Sequence, residues 1–326
     1  MKRALIASAA GLALLALTAC TPEVPTVSAA PSPSEAAAVV EAQAERILPE
    51  TFDELAAADA EANPELLVNR VGGDAKTVRA AQYKQAKADK KITPDVLPEE
   101  TQAIYVSAAD TWPRVLVAVT EQPAEDVTPV VMLWVQDSVD DDYQMRGWAH
   151  MIPGATLPAM AGPATGANQL ALDDPLLTPT AGEVLDDYLK LLKEGPKSEL
   201  NDDFAEDSYR QQLFTAREVL TKAAKKAKGS YKDAITTTED ETYVLQTADG
   251  GALVFAPVQI VSTFTVKNAK VSIPAADKAL LSGGKLSAKV VHSYRDLLVL
   301  HIPGPAIESL PAVVAADHNL VKVSPK

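Results

Sequence analysis

The 326-residue sequence predicts an α+β protein of two tandem, related domains, each with N-terminal helices followed by a curved antiparallel sheet. Three observations predict it. Helical periodicity is confined to two blocks, about 35–91 and 180–228. Each block is followed by short runs rich in valine and aromatic residues, separated by turn-like spacers. Between 154 and 179 Pro, Gly, Ala and Thr succeed one another without a sustained period, and then the pattern restarts. Helices and strands segregated along the chain are the α+β arrangement, whereas a parallel sheet needs them to alternate. At 47% hydrophobic residues, the chain has the material for a sizeable core.

The first segment is separate from this pattern. Lys2 and Arg3 precede an uncharged run over 4–17, which the small residues Thr18 and Ala19 follow. A basic start, a short apolar stretch and a small-residue cut site form a secretory signal, and the run is shorter than the roughly 20 apolar residues a spanning helix needs. The stretch Leu17-Thr18-Ala19-Cys20 resembles the lipobox of bacterial lipoproteins. That resemblance implies cleavage after residue 19, a diacylglyceryl group on the Cys20 sulfur, and a protein held on the extracytoplasmic face of the cell membrane. With the alanine-rich, aromatic-poor composition, it points to an actinobacterial cell-envelope lipoprotein. Cys20 is the only cysteine, so no internal disulfide or cysteine metal site is available. Each buried CH₂ of an attached chain contributes about 0.8 kcal/mol to membrane association, and two or three chains make it lasting. Residues 20–34, with Pro22, Pro25, Pro31 and Pro33, read as an extended tether.

In the first domain, 35–153, residues 35–47 are rich in Ala and Glu and read as a helix. Pro49 is expected to start a second helix carrying Phe52 and Leu55, because Pro suits a first turn. Gly72-Gly73-Asp74 breaks the chain before a further helix through Val78 and Tyr83. After Pro94 and Pro98 come "AIYVS", "RVLVAV" and "PVVMLWV", then a fourth strand over 143–152. Residues 154–179 are the expected linker.

The second domain, 180–326, opens with a capping box, Thr180 serving the amide of Glu183. Val184, Leu185, Tyr188, Leu191 and Leu192 then trace one helical face, stopped by Gly195-Pro196. A second helix spans about 207–228; its final lysines, Lys222, Lys225, Lys226 and Lys228, complement the helix dipole. Strands are expected at "TYVLQT", "ALVFAPVQIVSTFTV", "KVSI", "LSAKVVH" and "DLLVLHI". The halves echo one another. Tyr105-Val106 parallels Tyr243-Val244, Ala109-Asp110 parallels Ala248-Asp249, and Ile152-Pro153-Gly154 parallels Ile302-Pro303-Gly304. The order of helices and sheet is similar to that of nuclear-transport-factor-2-like and cystatin-like domains, which implies a bent sheet around a helix and a pocket.

The formal net charge is −14, and loss of Lys2 and Arg3 leaves 28 basic against 44 acidic residues, a net −16. Such a surface repels phosphate backbones, which excludes nucleic acid as an expected partner, and argues against a grip on anionic lipid heads. The nucleophile-elbow pattern Gly-x-Ser-x-Gly is absent, as are phosphate-binding glycine loops. The four carboxylates in 137–142 lack the glycine and distal glutamate of a calcium loop. The four histidines have no zinc-site spacing.

No catalytic residue, metal site or cofactor is therefore expected. The ligand-binding candidates are Tyr143, Trp148 and His150 on the fourth strand of the first half, and His301 on the last strong strand of the second. The expected partners are the membrane, through Cys20, and either an envelope protein or a small hydrophobic ligand. A solute receptor feeding a transporter and a pocket enzyme built on His150, Trp148 and Tyr143 are the alternatives.

Overall fold

The computed structural model describes residues 37–39, 41–108, 112–125, 127–162, 164–267 and 269–325. The signal segment 1–19, Cys20, the tether to 34 and the echo residues Ala109 and Asp110 lie outside them. Glu35–Lys326 forms one compact unit.

Helix α1 (Glu41–Glu61) runs through Pro49, so the expected break there does not occur. Ala44, Ile47, Leu48, Phe52, Leu55 and Ala58 keep one buried stripe in phase across the proline. An interior proline costs a helix about 3 kcal/mol. Burying Ile47, Leu48, Phe52 and Leu55 contributes about 1.5–3 kcal/mol each, so packing wins. Helix α2 (Gly73–Ala88) starts at the expected glycine pair, Gly73 adopting φ +54°. The buried Arg79 ties α2 to α1 through Asp59, its Nε standing 2.8 Å from Oδ1.

Strands β1 (Thr101–Val106), β2 (Arg114–Thr120), β3 (Val130–Gln136) and β4 (Gln144–His150) form an antiparallel meander in chain order. Both faces are buried. Leu116, Ala118, Met132 and Trp134 pack on α1 and α2, while Val115, Val117, Val131, Leu133 and Val135 face the other way.

The next elements are β5 (Gln169–Leu170), α3 (Ala181–Glu194) and α4 (Ser208–Lys226). The capping box at Thr180 and Glu183 is present, and Asp207 caps α4 by accepting from the Arg210 amide at 2.7 Å. The second sheet follows: β6 (Ser230–Thr237), β7 (Tyr243–Gln246), β8 (Ala252–Thr265), the short helix α5 (Ala275–Ala279), β9 (Lys289–Ile302), β10 (Ala312–Ala316) and β11 (Asn319–Ser324). Its spine is the antiparallel pair β8–β9, each strand 14 residues long. At one end the pair is flanked by β7 and β10, and at the other by β6 and β11. The two strands expected from 286–292 and 296–302 are thus one. The segment expected as "KVSI" is not a strand: its backbone is irregular, and Ile273 packs into a small cluster with Leu280, Val290 and Val323. Apolar alternation there reflects one-sided burial without ladder pairing.

Leu253, Phe255, Leu297, Val299 and Val314 of the second sheet share a core with the inner valines of the first. On its outer face Val254, Ala256, Leu298 and Leu300 meet Leu185, Tyr188 and Leu192 of α3. The chain is therefore an α+β protein in four layers: helices, sheet, sheet, helices. The interval 154–179 is built into this body. Leu170 pairs with Val244, while Ala167 bridges to Ser107 at the edge of the first sheet. At the opposite edge Met151 bridges to Ala315, and the Ile152 amide donates to the Val314 carbonyl at 2.9 Å. Both lateral edges of the sandwich are thus bridged at single positions between the sheets.

The hairpins that echo in sequence share one register: Tyr105 pairs with Val117 and Tyr243 with Phe255. The Ile-Pro-Gly echo is different. Ile152 follows the fourth strand of its meander, whereas Ile302 ends β9, the third strand of the corresponding order β7-β8-β9-β10. These two motifs do not mark equivalent positions.

Candidate functional site

Strands β10 and β11 both lie antiparallel to β9, one after the other, in unchanged register: Ala316 pairs with Leu298 and Asn319 with Arg295. Between them the ladder is interrupted at Asp317 and His318. The backbone bond missing there is replaced by a side chain, because Asp296 Oδ1 accepts from the Asn319 amide at 3.0 Å. Interrupted ladders of this kind re-aim side chains and concentrate at functional sites.

The two re-aimed residues make two histidine–carboxylate pairs. Asp317 reaches the first sheet, where its Oδ2 accepts from the His150 amide at 3.1 Å and lies 2.8 Å from His150 Nδ1. His318 turns to the second sheet, its Nδ1 2.8 Å from Asp296 Oδ2. Asp296 is fully enclosed, and the same Oδ2 accepts from the Tyr209 hydroxyl of α4 at 2.7 Å. The His318 ring stacks on Tyr294 with centroids 3.9 Å apart. Each carboxylate occupies Nδ1, so in the neutral tautomer that donates to it Nε2 carries the free lone pair.

Both histidines line one cleft of about 450 Å³ between the first half of α4 and the end of β4. Its polar wall is Thr128, Ser208, Gln212, Asp317 and the two imidazoles. Its apolar wall is Met151, Ile152, Pro153, Leu213 and Ala216. This size and mixture suit a small ligand with a hydrogen-bonding head and an apolar body.

Electrostatics differ among the histidines. The hydrogen bond to Asp317 raises the His150 pKa, helped by the charges of Asp317 and Asp95 and opposed by burial. Burial lowers that of His301, against the pull of Asp249, and lowers that of His292, against Asp277. The Tyr209 hydroxyl is held well above its ordinary value, first by burial and then by Asp296.

The residues singled out from sequence are not brought together. Trp148 lies two positions before His150 but is buried on α2, its Nε1 donating to Asp95 Oδ2 at 2.9 Å. Tyr143 is buried in the same core, where burial pushes its hydroxyl up to about 12. His301 is half-buried beside a second hollow under the 152–158 segment, with Nε2 lacking a partner among the described residues. Only His150 lines the His–Asp cleft. Tyr209, Asp296 and Asp317 were not anticipated, and His318 was noted only as one of four histidines. Asp317-His318 interrupting two apolar runs near the C-terminus was the available signal. The acidic 137–142 turn is dispersed into ion pairs of Asp137 with Arg146 and Asp142 with Arg70. Among the described residues no group of three or more His, Cys, Asp or Glu side chains is placed to hold a metal, and no helix is long and apolar enough to cross a membrane.

The model of one family, described as Domain of unknown function (DUF8094), matches residues 35–297. The chain belongs to this family. The match spans both sheets and includes His150, Tyr209 and Asp296, while Asp317 and His318 lie beyond its end. The DUF8094 region thus carries one half of each histidine–carboxylate pair, and the segment after it carries the other. No curated protein matches the chain.

Proposed function

We propose that this protein is a lipid-anchored extracytoplasmic binding protein that holds a small amphipathic ligand in the cleft between α4 and β4. The anchor rests on the Lys2-Arg3 start, the apolar run and Leu17-Thr18-Ala19-Cys20. The binding role is carried by one observation: two consecutive residues, Asp317 and His318, build two histidine–carboxylate pairs from different sheets on one cleft. Each imidazole, its Nδ1 taken by a carboxylate, leaves Nε2 for a ligand head, and Met151, Ile152 and Leu213 line the cleft for an apolar body.

To test binding, wild type and His318→Ala are purified from the producing membrane, and small molecules released by solvent are compared by mass spectrometry. A species present with wild type and depleted at least tenfold with the variant is expected; identical extracts overturn the reading. The anchor is tested separately by fatty-acid labelling, which Cys20→Ser abolishes.

A second reading has its own support. His318, its Nδ1 held by a carboxylate, shares the cleft with Ser208, and a histidine oriented in this way is a candidate general base for an alcohol in the same cleft. Hydrolysis of a p-nitrophenyl ester lost equally in Ser208→Ala and His318→Ala would favour that reading over simple binding.

A further inference from the structure

The overall charge conceals a segregation that the fold makes plain. Residues 219–232 contain Lys222, Lys225, Lys226, Lys228 and Lys232 and no acid. Residues 265–290 contain Lys267, Lys270, Lys278, Lys285 and Lys289 and one acid, Asp277. These two stretches hold nine net positive charges in a chain of −14, so the remainder carries −23.

The fold gathers them at one end of the second sheet. Ser230 pairs with Thr265, and Thr265 with Lys289. The Lys267 amide donates to the Ala227 carbonyl at 3.0 Å, and the Val266 amide to Ala288 at 2.8 Å. Gly229 allows this approach, since a Cβ there would collide with the Thr265 carbonyl. All ten lysines are exposed. Lys222 pairs with Glu218, and the other nine have no acidic side chain within ion-pair distance among the described residues.

We propose that this lysine pole is a docking surface for a linear, phosphate-bearing anionic polymer of the envelope. Two features select that occupant. The pole is made of lysine alone, and compact hydrated ammonium groups suit the diffuse field of a polyanion, whereas shaped recognition of a single phosphate favours the arginine fork. The pole also lies far from the point where residue 37 joins the fold. Ala37 enters the fold beside Ser107 and Ala108, in line with Ala167, Asn168, Gln246 and the Ala252 end of β8. The lysines surround the Thr265 end, so the length of the 14-residue β8, about 45 Å, separates them from that entry. An envelope polymer rather than an intracellular one rests on the proposed export; the pole itself does not.

Residues 35–326 contain the whole compact unit, with every core cluster between Val39 and Val323, and serve as the test protein. Binding to immobilised long-chain sodium polyphosphate is measured from 50 to 200 mM salt. Six engaged lysines, each releasing about 0.7 counterion, give a log–log slope of about −4, so binding weakens by roughly two to three hundredfold across that range. Lys225→Glu/Lys226→Glu/Lys228→Glu/Lys267→Glu is expected to bind at least tenfold more weakly at 50 mM, with an unchanged circular-dichroism spectrum. Lys267→Glu alone should weaken binding more than Arg46→Glu on α1. Absent binding, equal binding by the quadruple variant, or an equal effect of Arg46→Glu overturns the proposal. Stronger binding to phosphatidylglycerol vesicles than to polyphosphate also overturns it and assigns the pole to a membrane. Failure of Cys20 labelling would leave these outcomes untouched.

Discussion

Replacing Asp296 with alanine is expected to destabilise the protein by about 3 kcal/mol, through the donors it leaves behind. Asp296 accepts from the Tyr209 hydroxyl, His318 Nδ1 and the Asn319 amide. The Tyr209 ring is buried, so its orphaned hydroxyl costs about 2 kcal/mol, and the part-buried Asn319 amide adds about 1. His318 adds little, because 31% of its side chain already faces solvent and can turn to water. Tyr209→Phe removes one donor and leaves Asp296 with two, for about 1.5 kcal/mol. The double variant should lose only about 1.5 kcal/mol rather than the sum of the singles, because no hydroxyl remains to be orphaned and only the Asn319 amide is left without its acceptor. The resulting coupling, about 3 kcal/mol, lies at the upper end of the range seen for groups in one network. Urea unfolding, with the slope checked for constancy, measures all three proteins. A loss below about 1 kcal/mol in Asp296→Ala, or simple additivity, would refute the network.

The histidines supply tests of opposite sign. His150 has a raised pKa in the folded state, so its stabilising contribution is complete below its unfolded value and is lost as pH rises through the folded one; the stability gap between wild type and His150→Asn should shrink from pH 6 to pH 8. His301 has a lowered pKa, so its burial penalises the fold as pH falls through its unfolded value; His301→Gln should gain stability relative to wild type from pH 7 to pH 5. Pro49 interrupts the backbone bonding of α1, and Pro49→Ala should stabilise the protein by about 1–2 kcal/mol in urea unfolding, less than the full helix-interior cost because the alanine chain has more unfolded freedom.

Local chemistry was legible where it is self-contained. The Thr180–Glu183 box and the Gly72-Gly73 start need only a few neighbouring residues, and each is where the pattern put it. The β1–β2 and β7–β8 hairpins were legible for the same reason. What failed depends on partners far along the chain. Pro49 looked like a helix start because periodicity cannot weigh the core that Ile47 and Phe52 share with the first sheet. The segment 154–179 looked like a linker because its composition is loop-like, yet its backbone groups are used at the edges of both sheets.

The site was less legible than the fold. His150 was named, but Asp317 is 167 positions away and becomes its partner only when the sheets meet. Asp296 sat in a run read as an apolar strand, and nothing local announces that its carboxylate replaces a ladder carbonyl. A net −14 likewise describes the whole chain, whereas the lysines of 219–232 and 265–290 lie together at one end of the second sheet.

The binding claim is tested most directly by long-range ¹H–¹⁵N spectra of the four histidines, taken before and after adding the molecules extracted from the producing membrane. The account predicts shifts in the ring nitrogens of His150 and His318 on addition, with those of His292 and His301 unmoved. Shifts confined to His301, or none at all, would contradict it.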